Sequence, residues 1–132
     1  MMNAVLRYVV VLAVLAVGDA LWLSYFAKAV FRPTLGDMVL DTPRWTYVVL
    51  FYLLYAAGIL VFAVPADVRD GSWLPAMFTG ALFGFFAYMT YDLTNLATIR
   101  AWTLPLALLD IGWGTVLTAL AALAGYLVRS GN

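Results

Sequence analysis

A neutral chain of 132 residues that is 66% hydrophobic and 11% charged is far more apolar than a soluble domain, which is about 45–50% apolar and about 25% charged. Its natural solvent is lipid. It has no cysteine and no histidine, which excludes disulfides and thiolate chemistry and removes the commonest metal ligand and general base. All seven acids are Asp and six of the seven basic residues are Arg; with no basic surplus there is no nucleic-acid footprint.

A helix crosses the hydrocarbon core with about 20 apolar residues. Four segments reach that length, and none alternates as a strand would. Lipid admits only helices or closed barrels. The expected fold is therefore all-α: a polytopic membrane protein forming a four-transmembrane-helix bundle, with residues 1–132 as one transmembrane domain.

The first span covers about residues 5–27 and contains Asp19. Its apolar run is too long for a cleavable signal peptide, and no A-x-A site follows it. The connection from Lys28 to Arg44 holds Phe31-Arg32-Pro33 and Leu35-Gly36-Asp37, and is expected to lie partly on the membrane surface. Thr42-Pro43 opens the second span, about 45–64, which carries no charge. Pro65 and Gly71 bracket a short link. Ser72 with Pro75 opens the third span, about 73–99, which contains Asp92. Thr103 with Pro105 opens the fourth, about 104–128, which contains Asp110. A hydroxyl followed by a first-turn proline marks a helix start. Trp45, Trp73 and Trp102 stand at span entrances, where an interfacial aromatic belt is expected.

Both termini fall on one side, with Arg7, Arg69 and Arg129; the other side has Lys28, Arg32, Arg44 and Arg100. This near-balance sets no orientation.

Counting along the helices brings the three intramembrane acids to one layer. Asp19 lies nine residues before Lys28, Asp92 eight before Arg100, and Asp110 eight after Trp102. At 1.5 Å per residue each is roughly 12–14 Å inside the same boundary. Asp19 shares a helix face with Trp22, and Asp110 with Trp113. Asp92 is flanked by Tyr88 and Asn95 on its own face, with Tyr91 and Thr94 close by. Gly80-x-x-x-Gly84 in span three and Gly112 and Gly114 in span four suit close helix approach. Tyr47, Tyr52 and Tyr55 of span two read as packing or belt.

An ionised Asp at mid-span costs about 2.5–3.5 kcal/mol on insertion scales. Four devices would offset three of them: protonation, a bound cation, pairing with Arg100, Lys28 or Arg32, or a wet cavity. The bland alternative is that each carboxyl only fixes helix register by bonding an indole, a phenol or Asn95. An acidic layer shared by three helices reads as a functional site. The candidate ligand- or ion-binding residues are Asp92, Asp19, Asp110, Asn95, Tyr88, Trp22, Trp113, Tyr91 and Thr94. Three Asp oxygens also suit a hard cation, so Asp19, Asp92 and Asp110 are the metal candidates. No sequence feature names a cofactor, and phosphate-binding loops are absent. Tyr91-Asp92 and Gly18-Asp19 resemble the aspartate pairs of intramembrane aspartyl proteases only superficially: the Gly-Asp comes first in the chain and Ala16 replaces the partner glycine.

GDALWL at 18–23, FYLLYAAGI at 51–59, GALFGFFAYMTYDLTNLAT at 80–98 and DIGWGT at 110–115 resemble a family of small four-span bacterial inner-membrane proteins, domain-of-unknown-function family 2177. The likeness implies four spans and a bacterial inner (cytoplasmic) membrane. It implies no activity, cofactor or catalytic residue.

Three readings follow. The first is a protein that binds or transports a cation, a proton or a small amphipathic ligand through the acidic layer, with Asp92 central. Four spans are few for a carrier, so this reading brings a homodimer with it. The second is a membrane enzyme acting on a lipid or isoprenoid, with Asp as general acid and base. The third is an accessory subunit of a larger membrane complex. The bilayer is a partner in all three.

Overall fold

In the computed structural model, residues 2–64 and 72–130 are described. They contain helices and turns and no strand. Helix α1 spans Met2–Phe26 and runs on through a π-helical turn, Ala27–Phe31, into the short α2, Arg32–Leu35. The change of winding falls just before Pro33, whose ring cannot sit against the carbonyl four residues back in a regular α-helix. Gly36, at φ 58°, ends the run; it is the one described residue in the left-handed region, which suits glycine. A single 3₁₀ turn, Gly36–Met38, follows. Helices α3, α4 and α5 span Trp45–Phe62, Leu74–Thr98 and Leu104–Ser130.

Among the described residues, four stretches are long and apolar enough to cross a membrane: Asn3–Met38, Trp45–Phe62, Leu74–Thr98 and Leu104–Val128. The first extends beyond the expected end near residue 27, because the connection after α1 is largely helical. Of the expected starts, two hydroxyls act as caps: Ser72 Oγ accepts from Leu74 N–H at 3.2 Å and Thr103 Oγ1 from Leu106 N–H at 3.4 Å. Thr42 does not. Arg44 holds the position before α3, is extended, and has no side-chain cap bond. The link bracketed by Pro65 and Gly71 lies outside the described residues, as does Arg69.

Helix α5 is the hub. It packs most extensively on α4, then on α1, while α3 leans chiefly on α1. Half of the most apolar window of α5 is buried, against 17–22% for the other spans. Two buried clusters result. One joins Val11, Leu15, Ala56, Ile59, Leu117 and Ala121 across α1, α3 and α5. The other gathers Phe26, Leu35, Trp102, Leu106 and Ala107 at the opposite end. The outer surface is as apolar as the interior: Leu21, Leu54, Phe62, Phe78 and Leu108 are all exposed. Such a surface is stable only against hydrocarbon. At the far end of α1 the buried Arg7 donates to the carbonyl of Val64 at 3.3 Å, tying α1 to the end of α3.

Glycines set the α4–α5 distance. A Cβ on Gly84 would lie 2.5 Å from the Gly114 carbonyl oxygen and 2.6 Å from the Thr118 side chain. The Tyr88 ring covers Gly114. Gly112, expected to share this role, faces open space, with nothing within 4 Å. Gly84→Ala is therefore expected to cost about 1–3 kcal/mol through overpacking, read as a lowered thermal midpoint in detergent. Gly112→Ala should leave the midpoint unchanged; equal effects would refute this account of the contact.

Candidate functional site

Asp19 projects from the middle of α1 into the bundle and is buried. It accepts two hydrogen bonds from two other helices. The Tyr52 hydroxyl of α3 donates to Oδ2. The Trp113 indole of α5 donates to Oδ1 at 2.7 Å. One carboxyl thus pins three spans together. The partner along its own helix, Trp22, does not reach it. Trp22 stacks on Trp113 at 4.8 Å with the rings 6° from parallel, and on Phe26 at 4.9 Å. Its own indole nitrogen is buried without an acceptor. The expected pairings of Asp19 with Trp22 and Asp110 with Trp113 are thus replaced by a cross-helix bond. Side chains three residues apart on a helix point along one face, whereas a carboxyl facing the core meets what the next helix supplies.

Asp92 of α4 is fully buried. Neither of its oxygens has a donor in hydrogen-bonding geometry. Beside it lie the Asp110 carboxyl of α5 and the Trp102 indole from the turn between α4 and α5. Trp102, expected in the interfacial belt, is instead 7% exposed, and its indole nitrogen also lacks a partner. The short α4–α5 turn folds it inward, edge-on to Tyr91 at 5.6 Å and to Phe31 at 6.1 Å. Trp45 and Trp73, at the other entrances, are exposed.

Asp110 is half-buried and has Asp92 beside it. It faces a cavity of about 360 Å³ among all four spans. The walls are Leu23 and Phe26 of α1, Phe31 of the π turn, Phe51 and Tyr55 of α3, and Ala87, Tyr88 and Tyr91 of α4. Among the described residues, Asp110 is the only charged one in that lining. Tyr55 is held by a 2.8 Å hydrogen bond with Thr118 and stands edge-on to Tyr88.

The remaining candidates separate. The Asn95 side chain lies beside the Tyr91 hydroxyl. Thr94 is exposed and satisfies its hydroxyl within α4, on the carbonyls of Thr90 at 2.6 Å and Tyr91 at 3.0 Å. It faces outward. The candidate cations do not reach the acidic layer either: Lys28 and Arg100 are exposed, and Arg32 turns to Asp41 at 3.7 Å and to the Leu40 carbonyl. Among the described residues no three carboxylates are grouped to hold a metal ion. Asp19 is drawn towards Tyr52 and Trp113, while Asp92 and Asp110 form a pair of their own.

Tyr52 and Tyr55 are the polar residues that sequence reasoning assigned to packing or belt. A depth count would have found Tyr52. It lies seven residues past Trp45, roughly 10 Å inside the boundary from which the three acids were counted.

Replacing Tyr52 with Phe removes one donor from a buried carboxyl. The expected loss is about 1.5–3 kcal/mol, the range for hydrogen bonds to charged groups, seen as a lower midpoint in detergent. Tyr47→Phe, at an exposed position of the same helix, should change nothing. Equal midpoints for the two variants would refute the bond's role.

No curated protein and no solved structure matches the chain. The family described as "predicted membrane protein (DUF2177)" matches residues 4–127, nearly the full length, and the chain belongs to that family.

Proposed function

We propose that this membrane protein binds a small amphipathic organic cation in the cavity between its four spans, with Asp110 as the anionic anchor. The observation that carries the reading is the lining: one carboxyl among aromatic rings, in about 360 Å³. Small-molecule sites are commonly about 300–1,000 Å³, apolar, with a few placed polar groups. A desolvated cation gains from ring faces as well as from a carboxylate. A hard metal ion is a poorer fit, because it asks for six or more oxygens and the lining offers one carboxyl and three phenols. The apolar remainder of the cavity suits the hydrocarbon part of an amphiphile.

In this reading Asp19 keeps the helices in place and Asp92 supports Asp110 from behind. Carriage across the membrane is the natural use of a mid-span site open to such a ligand. A four-span chain would do this as a homodimer, in the inner membrane of a bacterium.

The test is a titration of the protein in lipid nanodiscs with benzyltrimethylammonium, followed by tryptophan fluorescence. Saturable quenching is expected. Asp110→Asn should weaken binding at least about tenfold, equivalent to about 1.4 kcal/mol. Asp37→Asn, in the exposed connection, should not. Quenching that never saturates, or that is the same in Asp110→Asn, would contradict the reading.

A further inference from the structure

We infer that Asp92 and Asp110 share one proton, and that a cation entering the cavity displaces it. The second half rests on the binding reading above; the first half does not.

Asp92 is the residue with the unmet requirement. It is fully buried, and both oxygens lack a donor. A buried polar group in hydrocarbon without a partner is costly, and a charged one more so. The neighbours offer few remedies. From α5 comes the Asp110 carboxyl, and from the α4–α5 turn comes the Trp102 indole. From α1 comes another acid, Asp19, already bonded to Tyr52 and Trp113. Helix α3 brings Tyr52, already committed to Asp19, and Tyr55, engaged with Thr118. Helix α4 adds Tyr88 and Tyr91, the latter beside Asn95. Among the described residues no lysine or arginine faces either carboxyl of the pair. With both carboxyls ionised, Asp92 has like charge beside it and no donor. One proton on either of them turns the repulsion into a hydrogen bond and supplies the missing donor. Adjacent carboxyls sharing a proton are the general solution to this arrangement.

Trp102 is the second, independent sign. Its indole nitrogen is buried, unpartnered and next to Asp92. It is a donor in reserve, idle while the pair is protonated and available to Asp92 once the proton leaves.

The exchange balances. The pair carries one negative charge with its proton in place. A quaternary ammonium ion brings one positive charge to Asp110. The shared O–H bond breaks, the proton passes to water, and the pair becomes a dianion facing the bound cation and the Trp102 N–H. One cation enters and one proton leaves.

Two measurements on the protein in nanodiscs test this. Infrared difference spectroscopy should show the C=O stretch of a protonated carboxyl in the parent protein. The band should vanish in both Asp92→Asn and Asp110→Asn, because an amide supplies the donor that the proton supplied. Calorimetric titration with benzyltrimethylammonium, in two buffers of different ionisation enthalpy, should show about one proton released per cation bound. This ligand carries no acidic proton, so any proton released comes from the protein. Asp92→Asn should release none, whatever its affinity. Absence of the band, or its survival in both variants, overturns the shared proton. Cation binding without proton release overturns the displacement. A band present with no cation binding at all would uphold the shared proton and remove the binding reading instead.

Discussion

In hydrocarbon a carboxyl must find its partners within the protein, because no water is there to supply them. This chain sets three aspartates between helices long and apolar enough to cross a membrane and meets the requirement in two different ways. Asp19 is given a phenol from α3 and an indole from α5, so its cost is spread over a junction of three helices. Asp92 is given no donor, and its near neighbours are a second carboxyl and an indole that does not reach it. The first arrangement holds the bundle. The second leaves a polar requirement unmet inside the protein, and the cavity opens beside it.

The rest of the architecture serves this layer. Gly84 and Gly114 bring α4 and α5 close enough for Asp92 and Asp110 to stand together. The π turn after α1 carries Phe31 to Trp102, which closes the layer on its outer side. A run of rings, Tyr91 to Trp102 to Phe31 to Phe26 to Trp22 to Trp113, connects the two carboxyl systems edge to face and face to face. Rings with two side-chain torsions hold a shape at small entropic cost. The site is thus built on packed helices rather than on loops.

Much of this was legible in the sequence. Hydropathy and the proline and hydroxyl punctuation locate the long helices to within a few residues, except where α1 continues through the π turn into α2. The depth count along the helices singles out Asp19, Asp92 and Asp110 because rise per residue is nearly constant. What the count lacks is rotation. Whether Trp113 turns to Asp110 or to Asp19 depends on how α1 and α5 face each other, and spacing along one helix is silent on that. The same gap hid Tyr52, whose depth matches the acids but whose direction had to be known. Trp102 was misplaced for a different reason: a tryptophan at a helix entrance is usually interfacial, but a short turn leaves it room only inside.

The central claim is that the unmet requirement at Asp92 and Asp110 makes a ligand site rather than a helix clamp. Native mass spectrometry of the protein released from its own membrane in mild detergent tests it most directly. The account predicts that a small organic cation leaves the membrane with the parent protein and is missing from the Asp110→Asn variant. A bare polypeptide mass, or an added mass retained unchanged in Asp110→Asn, would contradict it.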